Sequence, residues 1–162
     1  MLIGGLAHPE AFLASMMAAA PQLRGEVDGV AIHPYAATPD GVLTRVREAR
    51  KVLDSVGLAN VPLYITEFGW TTQPAHALNW APSAQRAGDV SRAFADLGHT
   101  NCNVAAVILY TWVTLQQNPA DREDWYGISP RGGGGDPDTA AFADGLRTAA
   151  APAPQLPTCT GV

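Results

Sequence analysis

The segment Pro62-Leu63-Tyr64-Ile65-Thr66-Glu67-Phe68-Gly69-Trp70 decides how the rest of the chain is read. Leu63, Tyr64 and Ile65 form a short apolar run, the pattern of a strand in a parallel sheet covered on both faces. A carboxylate held buried and unpaired in such a run is costly. Glu67 is therefore expected where the strand emerges into a cleft. Gly69 permits a sharp exit there, and Trp70 offers a flat apolar face beside it. The structural alternative is a strand-end Glu that caps a helix or pairs with an arginine.

Three further strands and four helices can be traced outward from this segment. Upstream, Val27 to His33 is a strand ending in His33-Pro34-Tyr35, and Leu2 to Leu6 is a strand of small residues. Downstream, Val104 to Trp112 is a fourth strand, nearly all apolar. Pro9 suits a first helical turn, and Phe12, Leu13, Met16, Met17 and Ala20 recur at helical spacing until Pro21 and Gly25 end the element. Thr38-Pro39 opens the next helix, with Val42, Val46, Ala49, Leu53 and Val56 as its buried stripe and Gly57 as its stop. Arg45, Arg47, Arg50 and Lys51 are read as mostly its solvated side, in preference to an anion site. Pro82-Ser83 opens a third helix, with Val90, Phe94 and Leu97 inward and Gly98 as the stop. Asp136-Pro137 starts a fourth, with Phe142 and Leu146 as its apolar positions. The loop Thr71 to Ala81 carries His76 and Trp80, and a later one carries Asp124-Trp125-Tyr126 and the glycines of 132–135.

Strand and helix therefore alternate four times, at the spacing of right-handed crossovers, which predicts parallel strands with the helices outside. A complete barrel of this kind needs about 250 residues and eight strands. With 162 residues and four strands, the chain is either a (β/α)4 half of such a barrel or a small open α/β sheet. The domain is expected over residues 1–150, followed by a flexible Pro- and Ala-rich tail at 151–162.

Composition narrows the function. Hydrophobic residues at 47% and charged residues at 15% describe a globular chain. A net charge of -5 without a basic run argues against nucleic acid as a partner. No apolar stretch reaches membrane-spanning length. Met1 to Ala7 lacks the basic segment and long apolar core of a secretory signal. Cys102 and Cys159 could pair or stay free. There is no Gly-x-Ser-x-Gly elbow and no phosphate loop, since Asp136 follows the glycines. His8, His33, His76 and His99 lack close metal-ligand spacing, so neither a metal nor a cofactor is expected; His33 with Glu67 would be two ligands of a split site at most.

What remains is a constellation at one end of the repeat. One strand ends in His33 and Tyr35, one in Glu67, and one in Tyr110 and Trp112. In βα folds, function gathers at the carboxyl ends of the strands.

Three segments carry a resemblance: Val27 to Tyr35, Tyr64 to Trp70, and Leu109-Tyr110-Thr111-Trp112. They resemble strands six, seven and eight of retaining (β/α)8-barrel glycoside hydrolases, the superfamily of cellulases, xylosidases and arabinosidases. Leu2 to Ala7 resembles strand five. The resemblance implies a carbohydrate substrate, with Glu67 as catalytic nucleophile and Tyr35 donating its hydroxyl to that carboxylate. It implies that His33 lines the site and that Trp112 forms the floor on which the sugar stacks, with a cis peptide after Trp112. Trp70 is expected to contact substrate beside Glu67. The family's acid/base is a Glu in an Asn-Glu motif at the end of strand four, and that motif is absent. Glu10 follows the strand-five equivalent at a helix start, where it favours the helix dipole. The expectation is thus a retaining O-glycosyl hydrolase fragment that holds the nucleophile without the acid/base and turns over little alone. The alternative is a non-catalytic carbohydrate-binding or interaction module with Trp70, Trp80, Trp112 and Trp125 as platforms. A parent enzyme of this kind would be secreted, and the exposed edges of a half-barrel would favour a homodimer.

Overall fold

Four parallel strands alternate with four helices in the computed structural model, which describes residues 1–74, 78–115, 118–129, 137–151 and 159, except for the side chains of Glu10 and Pro137. The strands are β1 (Leu2–Leu6), β2 (Gly29–Ile32), β3 (Leu63–Ile65) and β4 (Val104–Val107). The helices are α1 (Pro9–Ala19), α2 (Pro39–Ser55), α3 (Ser83–His99) and α4 (Pro137–Ala150). Spatial order follows chain order, β1-β2-β3-β4, with every pair parallel. This is half of a (β/α)8 barrel.

Local chemistry sets the boundaries. Thr38 caps α2, its hydroxyl oxygen accepting from the Gly41 N–H at 3.1 Å, and Pro39 follows at the first helical position. Gly57, at φ +83°, turns the chain out of that helix in a conformation that suits glycine. The core forms where the middle strands meet the helices. Val30, Ile32, Leu63 and Ile65 pack with Leu13, Met17, Val46, Leu53, Val90 and Phe94, all buried. The outer strands differ: Leu2 on β1 and Ile108 just past β4 are each 54% exposed. A half-barrel has two unpaired edges, and these are where its apolar surface shows.

Several sequence expectations are corrected. Phe12 and Leu146 are exposed, not core. Gly98 lies inside α3; a Cβ there would collide with Ala149 of α4. Gly145 sits against Ser91 and Phe94 in the same way, so α3 and α4 pack through their glycines and not through Leu146. The fourth strand ends at Val107, well before Trp112. Arg50 is not solvated. It is 1% exposed and donates to Asp54 and to the carbonyls of Leu58 and Val61, satisfying the turn that leads into β3. The glycine run at 132–135 and His76 lie outside the described residues.

The tail from Ala151 also lies mostly outside them, but Cys159 is bonded to Cys102 across 57 positions. Cys102 is buried just ahead of β4, and the Cys159 N–H donates to Asn101. Closing a loop of that length restricts the unfolded chain by about 4 kcal/mol in the chain-entropy model. Reduction of the bond is expected to lower the melting temperature by roughly 10 °C, read by thermal melts with and without reductant.

Candidate active site

The strands end at a common mouth, which opens into a cavity of about 500 Å³. Glu67 reaches it from the exit of β3, two residues past Ile65. The Tyr35 hydroxyl donates to Glu67 Oε2 at 3.2 Å. His33 Nδ1 lies 3.4 Å from the same oxygen, and its Nε2 is 3.1 Å from the Thr66 hydroxyl. With its proton on Nδ1, the imidazole offers that proton towards the carboxylate and accepts from Thr66. Oε1 has no hydrogen-bond partner among the described residues. The carboxylate is thus held on one oxygen and open on the other.

Neighbouring loops build the rest of the wall. β3–β4 pairing continues past the strands, with Tyr110 N–H donating to the Phe68 carbonyl at 2.8 Å. Gly69 is needed at this approach, because a Cβ would collide with the Tyr110 carbonyl oxygen. Tyr110 and Tyr126 stand 5.3 Å apart between ring centroids, and Tyr35 and Tyr126 6.1 Å. Buried Asn79 holds Tyr126 in place. Its Nδ2 donates to the Tyr126 hydroxyl at 2.8 Å and to the Gly69 carbonyl at 2.9 Å. Arg122 and Glu123, paired at 3.1 Å, face the same cavity from the loop after β4.

Two of the expected site residues lie elsewhere. Trp70 is 1% exposed, donates its indole N–H to the Ala37 carbonyl and packs edge-on against Phe68. It is core, because the chain turns inward after Gly69. Trp112 is half exposed but does not line the cavity. Its carbonyl accepts from Ile128 and Ser129, which carries the segment towards α4, and its ring meets Phe142 there at 6.0 Å. Tyr110 occupies the cavity wall instead, and the cis peptide is Tyr110–Thr111, not the bond after Trp112. Trp80 donates to the Thr72 carbonyl and Trp125 to that of Asn118, and neither lines the cavity. Glu10 falls in the first turn of α1.

Sequence reasoning missed Asn79, Arg122, Glu123 and Tyr126 as wall residues. It also missed Arg86 of α3, whose guanidinium is 4% exposed. Arg86 donates to the Trp125 and Gly127 carbonyls, both at 3.0 Å, and to Asp138 at 2.7 Å. It anchors the segment that carries Arg122, Glu123 and Tyr126.

Burial first, then the charge of Glu67, pushes the Tyr35 phenol well above the usual range. Burial also raises Tyr110, with Glu123 adding to it, and burial raises Tyr126. All three therefore remain donors across neutral pH. Their folded pKa values lie above the unfolded value of about 10. The stability they contribute is complete below that pH and is lost as pH rises above it. In an ultraviolet titration, their tyrosinate absorbance is expected to lag that of free tyrosine and to appear together with alkaline unfolding.

No family model matches the sequence, and no curated protein matches it. Solved structures do. A family 39 glycoside hydrolase from the gut symbiont Bacteroides cellulosilyticus WH2 superposes with a TM-score of 0.64 at 18% identity, over 85% of this chain and 30% of that one. A monomeric beta-xylosidase from Caulobacter crescentus CB15 gives 0.61 at 20% identity, over 88% and 32%. A glucosidase from Croceicoccus marinus gives 0.61 at 18%, over 80% and 28%. The chain thus shares the fold of part of these barrels and spans about 30% of the length of the proteins it resembles. Among the described residues no helix is long and apolar enough to cross a membrane, and no three His, Cys, Asp or Glu side chains gather as a metal site.

Proposed function

We propose that this chain is the nucleophile-bearing half of a retaining O-glycosyl hydrolase acting on an oligo- or polysaccharide. The observation that carries the reading is Glu67 itself: a carboxylate in a sugar-sized cavity, with Oε2 held by Tyr35 and Oε1 open. Retaining hydrolysis needs such a nucleophile on one side of the anomeric carbon and a protonated carboxyl about 5 Å away. Glu123 faces the same cavity but is tied to Arg122, which suits hydrogen bonding to a sugar hydroxyl better than proton donation. The acid therefore comes from polypeptide other than these residues, which would add at the unpaired edges of β1 and β4. A second copy of the chain is one source of such strands; a monomer at high concentration in size-exclusion chromatography removes it.

The test is a 2-deoxy-2-fluoro glycoside with a dinitrophenolate leaving group. That leaving group departs without protonation, so the missing acid does not matter. The expected result is a glycosyl ester on the peptide that contains Glu67. Sugar binding without an ester would favour the second reading, a non-catalytic carbohydrate-binding module.

A further inference from the structure

Arg45 lines the cavity and has no hydrogen bond or ion pair to another described residue. It lies in the second turn of α2 and is half-buried. A smaller hollow shares Ala7, His33 and Arg45 with the main cavity, which sets Arg45 at the flank built from the ends of β1 and β2. The other described arginines all have a hydrogen bond, an ion pair or another contact. Among the described residues Arg45 has neither a hydrogen bond nor an ion pair, and Glu48, three residues on, does not pair with it. This is notable in a chain with 15 acidic and 10 basic residues. The other cavity guanidinium, Arg122, is balanced by Glu123.

A half-buried guanidinium on a cavity wall presents a planar fork of donors that fits a carboxylate or a sulfate through paired hydrogen bonds. We infer that the cavity takes a glycoside bearing an anionic substituent, which Arg45 binds. The inference rests on the sugar-site reading above and specifies the substrate class of that site. Arg122 and Glu123 then serve the uncharged hydroxyls, while Arg45 selects for charge.

The test is calorimetric titration of the whole chain at low ionic strength with methyl glucuronide, methyl glucoside 6-sulfate and methyl glucoside. At least one anionic glycoside is expected to bind on the order of tenfold more tightly than the neutral one. Which of the two is preferred identifies the substituent. In Arg45→Met, or in Arg45→Gln if the first variant does not fold, the ratio is expected to fall to about one. Equal binding of all three sugars, or a preference that survives both substitutions, overturns the role of Arg45 and leaves the sugar site standing. No binding of any of the three overturns both.

Discussion

Replacing Glu67 by Gln is expected to slow covalent labelling by the fluoroglycoside by about 10⁴-fold or more, to below detection. The substitution is nearly isosteric. The Tyr35 hydroxyl can donate to the amide oxygen as it does to Oε2, so the wall keeps its shape. Only the proposed nucleophile is lost, because a carboxamide oxygen does not form a stable glycosyl ester. A matching thermal melt separates this chemical loss from a structural one. Labelling that persists in Glu67→Gln, or maps to another carboxylate, would remove Glu67 from the mechanism.

Replacing Arg86 by Met is expected to destabilise the fold by about 3–5 kcal/mol. Arg86 and Asp138 are both buried, paired at 2.5 Å, and the same guanidinium holds two carbonyls of the loop after β4. Removing the cation leaves a buried carboxylate without its counter-charge, and it releases the anchor of Arg122, Glu123 and Tyr126. The melting temperature should fall by roughly 10 °C. Replacing both partners, as Arg86→Met with Asp138→Leu, should recover much of the loss, since it leaves no stranded charge. A single variant that melts like the parent would show that the pair does not hold the two helices.

These two positions differ in how plainly the sequence announces them. Glu67 is conspicuous, a carboxylate at the end of a three-residue apolar strand. The helices are equally plain, because Thr38-Pro39 and Pro82-Ser83 mark their starts. Arg86 is written more quietly. It is in phase with Val90, Phe94 and Leu97, on the buried stripe of α3. Arg50 is likewise in phase with Val46 and Leu53 on α2. A charged residue on an apolar stripe signals a buried, partnered cation; reading Arg50 as solvated surface, and passing over Arg86, misses that signal. The loop residues Asn79, Glu123 and Tyr126 carry no such periodicity. Their places follow from contacts 10 to 47 residues apart, such as Asn79 to Gly69 and Tyr126. Choosing Trp112 over Tyr110 has a similar origin. An apolar run from Val104 onward does not reveal that the strand stops at Val107, nor that Ile128 and Ser129 then draw the chain towards α4.

The bond between Cys102 and Cys159 fixes where a handle can be attached. Cys102 stands at the foot of the sheet, ahead of β4, while Glu67 opens at the opposite rim. A tether joined at Cys159 therefore sits on the face remote from the mouth. Chains captured on a sensor through a handle at that bond will present their hollows outward, open to the glycosides that test the proposed site.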